Sequence, residues 1–438
     1  MSRSCRASCF DTGRCAVLVS PPADAERDAP AGCAPSPMSS TVLPPPSIGV
    51  YVHIPWCRSK CAYCAFVSQP LCHRLDVETD PIIDSVLSST VELLERRLEL
   101  LGSPRVTTVY VGGGTPTALG VRRLNWLFGA IRGMMGEADG VEWSVEANPH
   151  SLDSETIAVC GRHGVTRISV GVQSFLPRIL DSLGREPADN LTEVLDSVKR
   201  AQASSRGTDR PMAWSLDLIT GVLDMSLLEA IDDAERAVAL APDHISLYDL
   251  SVESGTPLAR RLGSRAGRRF ADRAAEVSAA ARRVLIDVGY HRYEVSAFSR
   301  PGGECRHNRG YWRMQPFVGV GPSAVSSLPA RDGGIVRFTD PPAINDFLGL
   351  REPWGAGEAV AASRAAFERA MMGLRTDEGI NLAGLPPATI DKWVIEGLAR
   401  ICNGSMVVMT DAGWERLDVC LRELADAWGD AGPQPGAS

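Results

Sequence analysis

The stretch Tyr51-Val-His-Ile-Pro-Trp-Cys57-Arg-Ser-Lys-Cys61-Ala-Tyr-Cys64 decides the fold of this chain. Its first residues read as a buried strand, and three cysteines with the spacing C-x₃-C-x₂-C follow at once. Three thiolates on one short loop can hold three irons of a cubane iron–sulfur cluster, which leaves the fourth iron for a non-protein ligand. A zinc site would need a second cysteine or histidine pair, and none lies at a suitable distance. Three unrelated thiols are the remaining alternative.

The composition is that of an ordinary globular protein with a mild acidic excess. Its 438 residues allow two or three domains, and 45 basic against 53 acidic residues give a net charge of −8. That sign disfavours general nucleic-acid binding, and the apolar runs are too short to span a membrane. The 12 cysteines gather at one site or lie scattered, unlike those of a secreted disulfide scaffold. We therefore expect a reducing, cytoplasmic environment.

Strand-like and helix-like segments alternate after residue 48. This alternation predicts a parallel sheet, either open and doubly wound or closed into a complete or partial β/α barrel, with its chemistry at the carboxyl ends of the strands. The predicted strands are Gly49–Ile54, Val106–Val111, Val141–Ala147, Arg167–Gln173, Trp214–Thr220, His244–Leu250 and Tyr290–Ala297. The predicted helices between them include Val121–Met135, Glu155–His163, Asn190–Ala203 and Leu227–Leu240.

Composition shifts divide the chain into four segments. Residues 1–47 form a Pro-, Ala- and Cys-rich arm that we expect to be disordered, with Met38 as an alternative start of translation. The barrel segment runs over residues 48–328, of which 299–328 read as loop. Residues 329–428 are expected to form a small, mainly helical domain with one short strand, Met406–Met409, and the tail 429–438 is expected to be disordered.

The cysteine spacing, with the aromatic residue Tyr63 before the third cysteine, resembles the motif of the radical S-adenosylmethionine (SAM) superfamily. The resemblance implies a partial parallel β/α barrel of radical SAM type. In it, Cys57, Cys61 and Cys64 would hold a [4Fe-4S] cluster, and SAM would chelate the open iron through its amino and carboxylate groups. His53 is expected to pack behind the cluster. The implied SAM contacts, several of them at predicted strand ends, are Tyr51, Tyr63, Gly113, Gly114, Thr115, Glu146, Gln173, Arg185 and Asp217.

The opening motif indicates one branch of that superfamily, and two further features distinguish the two families in this branch. The opening from Tyr51 to Cys57 is similar to that of the oxygen-independent coproporphyrinogen III dehydrogenases (HemN) and the HemW haem chaperones. The dehydrogenases carry a further cysteine where this chain has Phe66, and they have a folded N-terminal extension that the arm does not resemble. Both features favour the chaperone family.

A second motif concerns haem. Residues His307-Asn308-Arg-Gly-Tyr311-Trp312 resemble the His-Asn-x-x-Tyr-Trp haem-binding motif of HemW proteins. A histidine imidazole can bind haem iron axially, and Tyr and Trp offer flat faces and hydrogen-bond donors to a porphyrin. Cys305 is a second candidate iron ligand. The bland alternative is that the aromatics belong to the core and that His307 is a hydrogen-bonded loop residue.

The resemblance implies a haem chaperone that delivers haem to haem-requiring apoproteins, respiratory ones among them, and that can dimerise. This interpretation assigns no catalytic residue and treats SAM and the cluster as structural or regulatory. The alternative is an enzyme that carries out the oxidative decarboxylation of coproporphyrinogen III with a SAM-derived radical. The chain departs from the family pattern at two positions. Val325 stands where HemW proteins usually carry a histidine, and Pro187 stands where many relatives carry another histidine.

Overall fold

The protein is described from a computed structural model, which covers residues 41–71, 77–135, 140–208, 211–263 and 268–431. The predicted disorder of the arm therefore lies outside the described residues up to residue 40, and that of the tail from residue 432. The end of the arm is part of the fold, because Val42 is buried and forms a β-bridge with Ala330. In the described part of the chain, no helix is both long enough and apolar enough to cross a membrane.

Strands and helices alternate along the first two thirds of the chain, as the sequence predicts. The strands are β1 (Ser47–Ile54), β2 (Trp56–Cys57), β3 (Gln69–Pro70), β4 (Arg105–Gly113), β5 (Glu142–Ala147), β6 (Arg167–Gln173), β7 (Ala213–Thr220), β8 (His244–Asp249), β9 (His291–Arg292), β10 (Ala297–Ser299), β11 (Phe317–Val320), β12 (Val325–Pro329), β13 (Ile335–Thr339), β14 (Ala356–Val360), β15 (Ile380–Asn381), β16 (Ala399–Cys402) and β17 (Met406–Met409).

The α-helices cover the sheet and build the C-terminal part. They are α1 (Pro81–Leu100), α2 (Val121–Met135), α3 (Ser154–His163), α4 (Pro177–Ser182), α5 (Leu191–Ser205), α6 (Leu227–Leu240), α7 (Pro257–Leu262), α8 (Arg268–Asp287), α9 (Arg306–Trp312), α10 (Ile344–Leu348), α11 (Ala362–Gly373), α12 (Pro387–Ile395), α13 (Asp411–Glu415) and α14 (Leu417–Ala431). Short 3₁₀ helices follow β4 and β5, at Pro116–Leu119 and Pro149–Ser151.

One large sheet organises the molecule. Its strand order is β14-β13-β12-β11-β1-β4-β5-β6-β7-β8-β10-β9, and the strands from β11 to β8 in this order all run parallel. From β1 to β8 the strands of this sheet lie side by side in chain order, without the reversal that defines a doubly wound sheet. The winding is therefore that of a β/α barrel. It is a partial barrel, because β14 and β9 end the ladder as separate edges.

The two faces of the parallel strands differ in chemistry. Side chains two residues apart share one face of a strand. One face is apolar and belongs to the main core with the helices, as the buried residues Val109, Val111, Val145, Ile168 and Val170 illustrate. The other face, which we call the inner face, carries polar side chains instead: Thr108, Tyr110, Glu142, Ser144, Glu146, Arg167, Ser169 and Asp217.

The segment after α8 differs from its prediction. The sequence predicted a single strand, Tyr290–Ala297, but the structure has the short antiparallel strands β9 and β10 instead. The reason is a tight turn, in which the Tyr293 N–H donates to the Ala297 carbonyl at 3.1 Å and Glu294 pairs with Thr376. Residues 299–328 read as loop in the sequence, yet they contain α9, β11 and the beginning of β12.

The C-terminal part has its own core. The large sheet continues past residue 328 through β12, β13 and β14 in antiparallel pairs. Helices α11 to α14 then surround a second apolar cluster, which includes Phe367, Trp393 and Leu424. The sequence predicted one strand here, and the structure has a three-stranded antiparallel sheet in the order β15-β17-β16.

Candidate functional site

The three cysteines of the motif lie on one loop at the carboxyl end of the parallel sheet. Cys57 ends β2, which pairs with β3 and so closes the base of the loop, and Cys61 and Cys64 stand between these strands. All three are free and partly exposed. Burial is the main cause that raises the pKa of Cys57, and it raises the pKa of Cys64 to about 12. Three thiols this close need a bound cation before they can all ionise.

This thiol set fits a cubane cluster better than a single ion. Within the described ranges, no three His, Cys, Asp or Glu side chains are placed to hold one metal ion. A cubane does not need such convergence, because each cysteine binds a different iron. Three cysteines on a loop with accessible thiols therefore suit a [4Fe-4S] cluster with one open iron.

Backbone contacts fix the loop that carries the cysteines. The Ala62 N–H donates to the Leu183 carbonyl at 3.0 Å, and the Ala62 carbonyl accepts from the Leu258 N–H at 2.8 Å. The Lys60 ammonium donates to the Phe66 carbonyl at 3.1 Å, while the Phe66 side chain itself stays 39% exposed. Hydrogen bonds to backbone atoms thus hold the loop in place, and the Phe66 side chain stays exposed.

His53 connects β1 to this loop, as its expected position behind the cluster requires. Its Nε2–H donates to the Val67 carbonyl at 2.9 Å, so Nδ1 accepts from the Tyr51 hydroxyl at 3.0 Å. Burial lowers the pKa of His53 to about 4, which keeps the ring neutral. Tyr51, predicted to contact SAM, is itself buried and serves this chain of hydrogen bonds.

The glycine-rich turn after β4 packs directly on β1 and β2. Gly113 has a φ of +98°, and a Cβ there would overlap the His53 ring; one at Gly114 would overlap the Trp56 carbonyl. The Gly114 N–H donates to the Ile54 carbonyl at 2.8 Å. Thr115 follows with its hydroxyl beside Cys57, where it lowers the pKa of that thiol and so opposes the larger effect of burial. Glycine is therefore required at both positions for close packing, and the turn lies against the cysteine loop.

Glu146 on β5 and Asp217 on β7 face the same space across β6, which lies between these two strands. Glu146 accepts from the Tyr110 hydroxyl at 2.8 Å and from the Gly113 N–H at 3.0 Å. Burial, with a smaller contribution from Asp217, raises its pKa to about 7. Asp217 accepts from the Ser169 hydroxyl at 3.0 Å, and burial raises its pKa as well. Two carboxylates beside the cysteine loop can accept hydrogen bonds from the amino N–H groups and the ribose hydroxyls of a ligand such as SAM.

Arg185 connects the cysteine loop to the end of β6. Its guanidinium donates to the Cys61 sulfur at 3.7 Å and to the Gly171 carbonyl. The Tyr63 hydroxyl lies beside it, and burial raises the pKa of Tyr63 well above its usual value. Gln173, at the end of β6, has a φ of +69°, which is uncommon for a residue with a Cβ. The structure thus brings the predicted SAM residues together at one end of the inner face.

The predicted haem motif forms α9, which packs against the inner face of the sheet. His307 is 3% exposed, and both of its ring nitrogens are hydrogen bonded: Nδ1 with the Thr108 hydroxyl at 2.8 Å and Nε2 with the Tyr311 hydroxyl at 2.9 Å. Burial lowers its pKa to about 3. Tyr311 and Trp312 are also buried, whereas Asn308 is partly exposed. In this conformation His307 is a neutral, fully partnered side chain.

Glu142 anchors α9, and the sequence analysis missed it. Its carboxylate accepts from the backbone N–H groups of Arg306 and His307, both at 3.0 Å, and from the Cys305 thiol at 3.6 Å. Arg167 lies 3.7 Å from it and is equally buried. The sequence did contain one signal for this pairing. Two buried strands each begin with a charged residue on the inner face, Glu142 in β5 and Arg167 in β6. Burial raises the pKa of Cys305 to about 12, so this second candidate iron ligand is a neutral thiol.

Comparisons with known proteins agree with this arrangement. A model of the radical SAM superfamily matches residues 51–237. The chain is 34% identical over 295 residues to heme chaperone HemW of Escherichia coli (strain K12), which covers 67% of this chain and 74% of that protein. It is 33% identical over 396 residues to heme chaperone HemW of Mycobacterium tuberculosis (strain ATCC 25618 / H37Rv), which covers 87% and 96% respectively.

A solved structure confirms the fold. The coproporphyrinogen III oxidase HemN of Escherichia coli, a radical SAM enzyme, superposes with a TM-score of 0.70 over 86% of this chain and 91% of that chain, at 17% identity. The predicted class, α/β with a partial parallel barrel of radical SAM type and a C-terminal domain with helices, is therefore confirmed. Together with the curated relatives, these findings show that the chain belongs to the HemW heme chaperone family of the radical SAM superfamily.

Proposed function

We propose that this protein is a haem chaperone that binds haem together with a SAM-ligated [4Fe-4S] cluster and delivers the haem to apoproteins. The observation that carries the proposal is the helix α9, which presents His307, Asn308, Tyr311 and Trp312 against the sheet that also carries the cysteine loop. The curated relatives named heme chaperone HemW support it. Phe66, at the position of the extra cysteine of the dehydrogenases, supports it as well.

The cluster and SAM belong to the carboxyl end of the sheet in this proposal. Cys57, Cys61 and Cys64 hold the cluster, which when bound offers one iron to the amino and carboxylate groups of SAM. Arg185, whose guanidinium donates to the Cys61 sulfur at 3.7 Å, positions that ligand. The other proposed contacts orient SAM. Glu146 and Asp217 do so with their carboxylates. The rest lie on β1, on the cysteine loop, on the glycine-rich turn and at the end of β6: Tyr51, Tyr63, Gly113, Gly114, Thr115 and Gln173.

Haem binding places a condition on α9. His307 can bind iron only through a ring nitrogen, and both are now occupied by Thr108 and Tyr311. One hydrogen bond must therefore break as haem binds, and the ring must leave a pocket in which it is almost fully buried. If iron binds at Nε2, the Tyr311 hydroxyl loses its partner on the ring and becomes free for the porphyrin. We propose His307 as the iron ligand and Asn308, Tyr311 and Trp312 as the contacts of the porphyrin.

Three finer parts of the proposal concern the setting. The acceptors are haem-requiring apoproteins, respiratory ones among them; the protein acts in the cytoplasm; and the SAM-ligated cluster favours a homodimer. The free state of all seven cysteines in the described residues is compatible with a reducing compartment. Size-exclusion chromatography of the reconstituted protein with and without SAM tests the dimer, which is contradicted if the elution volume does not change.

The decisive experiment compares two assays on one anaerobically reconstituted preparation. Haemin titration followed by absorbance should saturate near one haem per chain, and coproporphyrinogen III with SAM and a strong reductant should give no protoporphyrinogen. Protoporphyrinogen formed together with 5′-deoxyadenosine would make the protein a dehydrogenase and overturn the proposal.

Two variants test the placement of the haem. His307→Ala should abolish stoichiometric haem binding while the iron and sulfide content of the cluster stays unchanged. The matched control is His150→Ala, a partly exposed histidine whose ring bonds to the Glu186 carbonyl at 3.2 Å; it should bind haem as the unmodified protein does. Unchanged haem uptake in a His307→Ala, Cys305→Ala double variant would contradict the assignment of His307.

A further inference from the structure

One side chain belongs to both of the proposed binding sites. Tyr110 lies on β4, and its ring stacks on the His307 ring with a centroid distance of 5.2 Å and an interplanar angle of 26°. Its hydroxyl donates to Glu146 Oε1 at 2.8 Å. Tyr110 is therefore in direct contact with the proposed iron ligand of haem on one side and with a proposed SAM carboxylate on the other.

The contact with His307 cannot survive iron binding unchanged. Thr108 lies two residues before Tyr110 on the same face of β4, and it holds the Nδ1 side of the imidazole, while Tyr311 holds the Nε2 side. Iron binding at either nitrogen breaks one of these bonds and requires the ring to turn or leave. The Tyr110 ring then loses its stacking partner on that side.

The contact with Glu146 depends on Tyr110 in turn. The two oxygens of Glu146 accept from the Tyr110 hydroxyl and from the Gly113 N–H. Gly113 cannot follow a displaced carboxylate, because the turn that carries it packs on the His53 ring. If the Tyr110 ring moves, the carboxylate loses one of its two donors. The carboxylate is then less well oriented toward the N–H groups of the SAM amine.

We propose that Tyr110 is a positioning residue that couples the two sites, so that haem binding and SAM binding oppose each other. The inference rests on the function proposed above. Haem held by His307 releases the Tyr110 ring, loosens Glu146 and weakens SAM binding. By thermodynamic reciprocity, bound SAM weakens the hold on haem by the same factor. SAM then has a use in a chaperone without any radical step, because its arrival favours haem release to an acceptor.

The test measures SAM affinity by equilibrium dialysis on reconstituted protein, with and without saturating haemin. In the unmodified protein, haemin should weaken SAM binding about fivefold or more, the lower end of usual coupling between sites. In Tyr110→Phe, which keeps the ring but loses the hydroxyl, the two affinities should agree within about twofold. The matched control is Tyr290→Phe, which also removes one buried hydroxyl bond, to the Pro242 carbonyl at 2.6 Å, away from both sites; it should keep the full coupling.

A second measurement follows haem transfer to apomyoglobin as an acceptor. SAM should accelerate the transfer in the unmodified protein and in Tyr290→Phe, and it should have no effect in Tyr110→Phe. Equal SAM affinity with and without haemin in the unmodified protein overturns the inference, as does coupling that persists in Tyr110→Phe. If the unmodified protein binds no haemin at all, the proposed function fails first, and the inference fails with it.

Discussion

The inner face of the sheet has two regions, which differ in how far the polar groups are buried and hydrogen bonded within the protein. The first, which we call the mouth layer, lies at the carboxyl ends of the strands and is partly exposed; it comprises Tyr110, Gln173, Glu146, Arg185 and Asp217. The second, which we call the floor layer, lies deeper and is buried; it comprises Thr108, Glu142, Arg167, Cys305 and His307.

The difference shows what each region must do to bind a ligand. Floor residues mainly bond to one another, as Glu142 does with α9 and His307 does with Thr108. Mouth residues keep exposed surface beside the cysteine loop, so SAM can bind with little rearrangement. Haem, in contrast, can reach His307 only if the floor opens. We therefore expect fast, rigid binding at the mouth and slower binding at the floor, with rearrangement.

Removal of the cysteines should separate the two regions most completely. The triple variant Cys57→Ala, Cys61→Ala, Cys64→Ala should lose essentially all iron and sulfide after reconstitution, because it removes all three proposed cluster ligands. Haem binding should remain, since the floor layer does not contact these thiols. The control Cys402→Ala, a partly exposed cysteine on β16, should retain a full cluster. A cluster that still forms in the triple variant would contradict the assignment of the three ligands. Loss of haem binding in that variant would show that the two regions are not separate.

Loss of the α9 anchor should affect stability strongly. Glu142→Gln leaves Arg167 buried without its counter-charge and weakens the cap of α9, so we expect a loss of about 3 kcal/mol in the free energy of unfolding. Glu186→Gln removes an exposed carboxylate that lies 3.8 Å from Arg58, and it should cost less than about 1 kcal/mol. Urea unfolding of the cluster-free proteins checks both values. Equal stability of the two variants would mean that the floor layer is not a tightly bonded unit.

Most of the mouth layer was indicated in advance, because Glu146, Gln173, Arg185 and Asp217 follow the order that the radical SAM resemblance implies. Their contact with SAM stays a prediction, and no sequence pattern indicated Tyr110. Cys57, Cys61 and Cys64 lie on one loop, and Glu146 and Asp217 lie near one another because parallel strands bring their carboxyl ends to one edge. The winding of the sheet could not be chosen in advance, since alternating strands and helices fit both open and closed arrangements. The order from β1 to β8 decides this point.

The floor layer was harder to predict because its bonds join residues far apart in the chain. Glu142 anchors a helix that begins at Arg306, and no local pattern shows that pairing. The motif indicated His307 as the haem ligand, which stays a prediction, and it did not show that both ring nitrogens are hydrogen bonded. The strand predicted at Tyr290–Ala297 was wrong for a similar reason, because the turn that divides it is fixed by a pairing with Thr376.

The two regions should also differ in their response to pH. Burial raises the pKa of Glu146 to about 7, so its carboxylate is ionised above that pH and protonated below it, and it accepts from the N–H groups of the SAM amine most strongly when it is ionised. The ionisable groups that interact with it are Tyr51, Cys57, Tyr110, Asp217, Tyr248 and Tyr311. SAM affinity should therefore fall about tenfold between roughly pH 8 and pH 6.

Variants at the mouth and the floor sharpen this contrast. Glu146→Gln cannot change its charge, so its SAM affinity should be low and nearly independent of pH in equilibrium dialysis. Burial lowers the pKa of His307 to about 3, so its ring stays neutral over the same range. A pH dependence that persists in Glu146→Gln would assign the titrating group elsewhere.

The smallest effect should come from the contact between α9 and the C-terminal part. Glu378 accepts from Arg309 at 2.8 Å and from Arg313 at 2.8 Å, and these exposed bonds restrain the helix that must move when haem binds. Glu378→Gln should leave the free energy of unfolding within about 1 kcal/mol. It should nevertheless speed haem uptake about twofold in stopped-flow absorbance, because a restraint that weak lowers a barrier by roughly 0.4 kcal/mol.

A matched variant shows whether that gain depends on α9. Glu276→Gln removes a similar exposed pair, with Arg273 at 3.0 Å, on a helix that makes no part of the haem motif; its uptake rate should not change. Uptake that is equally fast in the unmodified protein and in Glu378→Gln would mean that α9 moves without leaving the C-terminal part. The floor would then open from the side of the sheet, by displacement of the His307 ring away from Thr108, and the restraint on haem entry would lie in β4 instead of α9.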